Sequence, residues 1–279
     1  MPEMLHYAFM QRALAAGLVI GIAVPLVGVT VVLKRLSMIG DALGHASLAG
    51  VAAGLIAGLN PVAGAVAACV TSAFCIEGIR RAMPARADLA VAVIMAAGIG
   101  LAGVLSGFVP NSATFSSFLF GSIVTVGDAE LAVVVGVGAA VILFCALLAR
   151  ELFWVALDER AARLAGVRTG LVNAAFVLVC ALTISIASRT VGSLIVSSMM
   201  TVPVAAALAV ARSWRQSVVV ACAVGAVSSL AGLTLSFYAG LRPGGAIVLV
   251  EVGILLLLLL VRGIMRRLAH PAREDAAAR

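Results

Sequence analysis

Charged side chains are scarce in this sequence. Of its 279 residues, 11% are charged, 5% are aromatic and one alone, Lys34, is a lysine. Soluble domains are roughly a quarter charged, so this chain has too few charges to cover a water-facing surface of its size. The composition therefore excludes an ordinary soluble protein.

Motifs of several catalytic and metal-binding classes are also missing. The five cysteines lie inside apolar runs without a C-x-x-C pair, which argues against a disulfide framework and against a zinc cluster. Lys34 stands between Leu33 and Arg35, so the Gly-Lys-Ser/Thr end of a phosphate-binding loop is absent. We therefore expect a chain that is not an enzyme, has no ATPase motif and holds no stably bound cofactor.

The sequence does contain long apolar segments. Hydrophobic residues make up 63% of the chain, and the mean hydropathy is +1.21. Crossing a bilayer takes about 20 apolar residues in a helix, and nine runs of roughly that length occur, at 13–33, 36–58, 61–78, 88–109, 129–149, 170–188, 190–211, 216–239 and 245–261. The stretch 110–127 begins with too many polar residues to cross, and it is expected to form a re-entrant or interfacial helix against the protein. These runs predict an all-α polytopic integral membrane protein, with eight or nine membrane helices in one bundle and a single domain over 1–279.

Basic residues are distributed unevenly between the two sides of these runs. If all nine runs cross, all of the 19 Lys and Arg residues except Arg12, Arg189 and Arg242, that is 16, fall on one side. The positive-inside rule makes that side cytoplasmic, which puts the N-terminus outside and the basic tail 262–279 inside. This orientation accounts for the net charge of +7, and no nucleic-acid partner is expected.

A polar stripe interrupts the second apolar run. Asp41 and His45 are four residues apart and therefore share a helix face, and Ser37 extends that face by one turn. Gly40 and Gly44 form a smooth strip beside it. An unpaired carboxylate inside the bilayer costs at least about 3 kcal/mol, so Asp41 requires a cavity, a partner or an ion. Either Asp41 and His45 bond each other, or they form half of a tetrahedral site for a divalent cation, which a second copy would complete.

Two further acidic residues lie in apolar runs. Glu251 is about two turns into the last run, where it lines a path or pairs with a backbone group or a neighbouring helix. Glu77 precedes Arg80 by three residues, a spacing that favours an ion pair at the cytoplasmic edge.

A short amphipathic helix is predicted over 158–167, on the cytoplasmic side. Asp158 is a favourable N-cap and Gly166 a natural stop, and between them Ala161, Ala162, Leu164 and Ala165 provide a small apolar face. The helix lies either on the lipid headgroups or in a groove of another protein. The lack of large apolar residues favours the protein groove.

Together these segments resemble the permeases of ABC transporters that import zinc or manganese, known as the ABC-3 family. The matching blocks follow one another through most of the chain: VVLKRLSMIGDALGHASLAGVAAG, FLFGSIVTV, ALDERAARLAGV, RTVGSLIVSSMMTVPVAAALAVARSW and GLTLSFYAGLRPGGAIVLV. In the family's second-helix block, Ser is common where this chain has Gly44, and Pro is frequent where it has Ala49. The Asp and the His of that block are both present.

The resemblance implies a homodimer in a cell membrane whose axis carries the translocation path. An extracytoplasmic metal-binding protein would deliver the cargo, with Zn²⁺ expected first and Mn²⁺ next, and two ATPase subunits would supply energy. By the same analogy, Asp41 and His45 line or gate the path, with Ser37 and Glu251 as further candidates. The 158–167 helix docks on the ATPase through Asp158, Ala162, Leu164 and Gly166.

Two other function classes fit part of the sequence. A secondary transporter driven by an ion gradient usually carries matching charges in two repeated halves, and only Glu251 could match Asp41. A membrane-embedded metallohydrolase would need an H-E-x-x-H or similar ligand set, whereas His45 is the only histidine inside a run. Co-purification with an ATPase separates all three classes.

Overall fold

The computed structural model describes residues 4, 6–83, 86–110, 112–121 and 123–269. Within these ranges the regular secondary structure is helical, without strands. The tail predicted at 262–279 continues the last helix as far as Ala269, and its remainder, 270–279, lies outside the described residues.

Twelve α-helices follow one another through the described ranges, with a 3-10 turn at Ile123–Thr125 after the fifth. They are α1 (Ala8–Leu33), α2 (Ile39–Ile56), α3 (Pro61–Ala82), α4 (Ala87–Ser106), α5 (Ser112–Phe120), α6 (Asp128–Leu147), α7 (Ala149–Leu157), α8 (Glu159–Leu164), α9 (Thr169–Thr190), α10 (Ser193–Val210), α11 (Trp214–Ala239) and α12 (Pro243–Ala269).

Nine of these helices are long and apolar enough to cross a membrane: α1 to α4, α6 and α9 to α12. Each corresponds to one predicted apolar run, so the predicted all-α polytopic fold is confirmed. Helix α3 extends beyond the third predicted run, 61–78, as far as Ala82, and so includes Arg80 and Arg81.

The membrane helices differ in how much of their surface the protein covers. In α1 and α2, 67% and 72% of the most apolar window is buried, against 22% in each of α4, α6 and α12. The second helix is enclosed by α3, α4 and α10. The polar stripe therefore lies on one of the most protein-enclosed helices of the chain.

The turn between α1 and α2 is tight. It spans residues 34–38, and Arg35 adopts a left-handed backbone conformation with φ of +59°. The Leu36 amide donates to the Val31 carbonyl at 3.0 Å, which closes the turn on the end of α1. A left-handed non-glycine residue costs about 1–2 kcal/mol, and burial of Leu36 in the core helps to offset that cost.

The stretch expected to be re-entrant or interfacial forms α5 and the 3-10 turn. Helix α5 has nine residues and spans only about 14 Å, too short to cross a bilayer. Phe118 on this helix is buried. Gly192 has φ of +108°, and a Cβ added there would lie 2.5 Å from the Phe120 carbonyl carbon. The absence of a side chain thus lets the end of α5 rest on the start of α10.

Candidate functional site

The glycine strip of α2 brings this helix into backbone contact with α10. A Cβ added at Gly44 would lie 2.9 Å from the Ser193 carbonyl oxygen, and one at Gly40 would lie 3.1 Å from the Ser197 Cα. On the next turn, the Ser47 and Ser188 hydroxyls are hydrogen-bonded at 2.9 Å, which joins α2 to α9. These contacts fix the rotation of α2 about its axis.

That rotation turns the polar stripe toward the surface of the single chain. Asp41 and His45 are partly exposed, although the other residues of α2 from Ile39 to Ala52 are buried. Ser37 is also partly exposed, and it lies in the turn just before the helix. Among the described residues, neither the Asp41 carboxylate nor the His45 imidazole has a hydrogen-bond or ion-pair partner.

The stripe lies between two neighbouring helices. On one side is α10, in contact with Gly40 and Gly44. On the other is α4, where a Cβ added at Gly98 would lie 3.3 Å from the His45 Cβ. Glycines flank the stripe, so α2 packs closely against both helices. The side chains of Asp41 and His45 nevertheless remain partly exposed.

The donor groups of the stripe are too few for a complete metal site. In the described ranges no group of three or more His, Cys, Asp and Glu side chains could hold a metal ion. A carboxylate and an imidazole are two ligands, and divalent transition metals take four or more. The remaining ligands for a cation at the stripe must come from outside this set, from a second copy or from water.

Glu251 occupies a different environment on α12. Its side chain is fully buried, and within the described part of the chain neither carboxylate oxygen has a hydrogen-bond partner. One turn before Glu251, Ile247 of α12 lies against Gly232 of α11. The structure thus encloses Glu251 between helices, whereas the stripe is open.

The cytoplasmic helix predicted over 158–167 is found as α8, with its ends close to the predicted ones. The Asp158 carboxylate accepts hydrogen bonds from the Arg160 and Ala161 amides at 2.8 and 3.1 Å, as an N-cap does. Gly166 has φ of +86°, a conformation that other residues seldom adopt, and it ends the helix.

The apolar residues of α8 do not share one face. Ala162 is fully buried in the core of the chain, whereas Leu164 is 91% exposed. The difference arises because α8 lies against the membrane helices and turns one side inward. A surface for a partner would therefore contain Leu164 and Gly166, while a bulky residue at Ala162 would disturb the chain itself.

A set of polar side chains holds α8 to the ends of the membrane helices. The predicted pair of Glu77 and Arg80 forms, with two hydrogen bonds at 2.8 and 3.0 Å. Arg80 also donates to Glu159 of α8 at 3.0 Å. Glu159 in turn accepts a hydrogen bond from the Asn173 amide nitrogen at 3.0 Å, and Asn173 accepts one from Lys34.

Burial affects the protonation of the lysine in this set. Lys34 follows the last residue of α1, and its amine also lies 5.3 Å from the centre of the Phe176 ring. Loss of solvent, followed by the positive charge of Arg80, lowers the pKa of Lys34 to about 8.

Sequence reasoning missed three features of the region around α8. Helix α7 was not predicted, because its apolar residues continue those of α6. The link between Glu159 and Arg80 joins residues 79 positions apart, which no local pattern indicates. Asn173 could have been found, since a lone amide in an apolar run needs a partner when it is buried.

Comparisons with known proteins agree with this architecture. A model described as the ABC 3 transport family matches residues 6–262. A probable metal transport system membrane protein of Treponema pallidum is 34% identical over 256 residues, which is 92% of this chain and 96% of that protein. The manganese import system permease protein ScaB of Streptococcus parasanguinis is 30% identical over 244 residues, which is 88% of this chain and 87% of that protein.

A solved structure shares the fold over a similar extent. PsaBC from Streptococcus pneumoniae, determined in complex with Fab, superposes with a TM-score of 0.81 at 28% sequence identity. The match covers 91% of this chain and 92% of that one.

Proposed function

The chain belongs to the ABC 3 transport family, and we propose that it imports Mn²⁺ as the permease subunit of an ABC importer. Family membership and the nine spans make it a multi-pass cell-membrane permease of the ABC metal transporters. The cargo ion, the role of each residue and the composition of the complex are the proposed parts.

The single observation that carries the proposal is the open stripe of α2. Asp41 and His45 are the ionisable residues of an otherwise buried helix, and both are without a partner among the described residues. A charge is retained in a membrane helix where it serves an ion path or a partner. We assign these two side chains to the metal path, with Ser37 at its cytoplasmic end.

The stripe also supports a homodimer. One chain offers two ligands at a surface that its own helices leave open, and a two-fold axis along α2 would bring two such pairs together. That arrangement supplies four donors from two copies, as a cation of this class requires. An extracytoplasmic metal-binding protein would deliver the ion to the outer end of this axis.

The exposed side of α8 supports an ATPase partner. An open groove of about 820 Å³ beside the helix is lined by Arg80, Arg81, Glu159, Arg160, Arg163 and Leu164. Its rim is mainly basic, and the exposed Leu164 projects from it, which suits a partner surface with an apolar pocket and acidic surroundings. Two ATPase subunits, one on each permease copy, would then power transport.

The choice of metal rests on the relatives. The resemblance in the sequence put Zn²⁺ before Mn²⁺, but relatives such as ScaB are named as manganese permeases. A carboxylate and an imidazole suit either ion. We therefore propose Mn²⁺ as the cargo and Zn²⁺ as the second candidate.

The test is ATP-dependent uptake of radioactive Mn²⁺ and Zn²⁺ by vesicles that contain the permease with its ATPase and binding protein. Asp41→Ala and His45→Ala are each expected to lower uptake by about tenfold or more, since even indirect ligand contacts are worth that much in metal sites. Asp88→Asn, which changes an exposed carboxylate at the start of α4, is the control and should transport normally. Normal uptake by both stripe variants at wild-type abundance would contradict the assignment of Asp41 and His45 to the metal path.

A further inference from the structure

Six polar side chains form a connected set where α8 meets the membrane helices. This set, called the charge network below, comprises Lys34, Glu77, Arg80, Arg81, Glu159 and Asn173. It joins four separate parts of the chain: the end of α1, the end of α3, α8 and the start of α9. None of its members belongs to the stripe.

Glu159 is the only member of the charge network that lies on α8. One of its carboxylate oxygens accepts from Arg80 and the other from Asn173, both at 3.0 Å. Its side chain is 29% exposed and that of Arg80 is 18% exposed. Charge-assisted hydrogen bonds of this kind are directional and stronger than neutral ones, so Glu159 fixes α8 to two membrane helices at once.

Helix α8 depends on such contacts because it is very short. It has six residues, and isolated helices below about 12 residues are marginal in water. Towards the membrane helices it presents the buried Ala162 and the carboxylate of Glu159. Glu159 supplies the charge-assisted hydrogen bonds through which a movement of α8 would reach those helices.

The other end of the charge network leads to the stripe. Asn173 is buried and uses its carbonyl oxygen to accept from Lys34 while its amide donates to Glu159. Lys34 lies three residues before Ser37, in the tight turn that opens α2. A displacement of α8 would thus reach the first turn of α2 through two hydrogen bonds.

From this geometry we infer that Glu159 and Asn173 are positioning residues that couple movement of α8 to the α1–α2 turn and so to the metal path. The inference rests on the proposed function, because it assumes that an ATPase moves α8. It adds a specific route, from α8 through Glu159, Asn173 and Lys34 to the turn before Asp41.

The experiment uses the full complex in vesicles and measures ATP hydrolysis and Mn²⁺ uptake in the same preparation. Glu159→Gln removes the charge with little change of shape. Asn173→Asp removes the amide donor and places a second carboxylate against Glu159. Each should lower the Mn²⁺ transported per ATP hydrolysed by about fivefold or more, the usual scale of coupling between sites, while assembly with the ATPase is unchanged.

A matched control uses a charge just beyond the same helix. Arg168 is exposed and does not line the groove beside α8, so Arg168→Gln should leave the uptake per ATP at the wild-type ratio. An unchanged ratio in both network variants would overturn the inference. Loss of the folded protein or of ATPase binding in both would overturn it as well, since the two residues would then be purely structural. Failure of the proposed function itself would look different, because the unaltered complex would show no ATP-driven uptake.

Discussion

At the scale of the residue, burial separates the ionisable groups of the membrane helices into distinct roles. Counting only the residues that the structure describes, Asp41 and His45 are partly open and unpaired, and Glu251 is buried and unpaired. Glu77 is buried but paired with Arg80 and Arg81. An isolated buried charge is far more costly than a neutral group, so a neutral side chain is favoured at Glu251. The Asp41 carboxylate is partly exposed, so a cation can reach it.

This difference predicts opposite outcomes for one chemical change at two positions. Glu251→Gln keeps the shape of an enclosed side chain, and we expect near wild-type abundance and Mn²⁺ uptake. Asp41→Asn makes the same carboxylate-to-amide change on the stripe and should lose uptake. If Glu251→Gln loses uptake as Asp41→Asn does, while its abundance is normal, Glu251 lines the path after all.

A second prediction concerns the protonation of Lys34. Because its pKa is lowered to about 8, its amine should become reactive toward acetic anhydride with a midpoint near pH 8, well below that of an ordinary lysine at about 10.4. Between about pH 8 and about pH 10.4 the Lys34 amine would be mostly protonated in the unfolded chain and mostly neutral in the folded chain. The folded state therefore gains stability as the pH rises through that interval.

The measurement is competitive labelling read by mass spectrometry, which is simple because Lys34 is the only lysine. Labelling of the denatured chain gives the reference midpoint. Equal midpoints for the folded and denatured chains would show that folding does not lower the pKa of Lys34.

At the scale of the element, small residues and caps decide how the helices meet. The family block usually has Ser where this chain has Gly44, and the 2.9 Å approach of an added Cβ to the Ser193 carbonyl oxygen explains the difference here. Helix α2 lies too close to α10 for a side chain at that position. On the cytoplasmic side, Asp158 and Gly166 set the two ends of α8, and its buried Ala162 sets which side faces out.

The exposed side of α8 gives a prediction for the ATPase interface. Leu164→Asp puts a charge on the most exposed apolar residue of the helix, and we expect binding of the ATPase to weaken by about tenfold or more, as for a central interface residue. Leu164 is a cleaner probe than Ala162, which is buried, or Gly166, whose backbone conformation strains any side chain.

Binding is measured by co-purification and by the ATPase activity of the reconstituted complex. Leu241→Asp is the matched control, because Leu241 is half exposed and lies between α11 and α12 on the predicted outer side. Wild-type binding by Leu164→Asp would exclude this side of α8 as the docking surface.

At the scale of the whole molecule, the charges on the two membrane sides are organised differently. Every arginine on the predicted outer side has a partner: Arg12 with Asp128 at 2.7 Å, Arg189 with Glu130 at 2.6 Å, and Arg242 over the Phe120 ring at 4.7 Å. On the predicted cytoplasmic side, basic residues line the groove beside α8. Few basic residues on the outer side, two of them ion-paired, and a basic inner surface are what the positive-inside orientation predicts.

That orientation predicts which positions can be reached from outside. Cysteines introduced at Arg160, in α8, and at Arg273, in the tail, should resist a membrane-impermeant maleimide in intact cells. A cysteine at Leu59, in the exposed turn between α2 and α3, should react. The unaltered chain is the control for its five native cysteines. Labelling at Arg160 or Arg273 without lysis would reverse the topology.

The sequence by itself determined the fold class and the family, and it limited the number of spans to eight or nine. Composition and run length are sufficient for this because a helix in lipid must form all its backbone hydrogen bonds internally and be apolar along its length. Each span can therefore be recognised from its own stretch of sequence. The block containing Asp41 and His45 and the ends of α8 were also visible, since helix periodicity and capping depend on residues three or four apart.

Only the tertiary structure decided which polar groups are open, paired or enclosed. Glu251 and Asp41 are both single carboxylates in apolar runs, and the packing of α10, α11 and α12 alone separates them. Ala162 and Leu164 are two residues apart, yet the attachment of α8 buries one and exposes the other. The links from Glu159 to Arg80 and Asn173 arise from helices distant in sequence, and contacts of that kind are fixed by packing rather than by any local pattern.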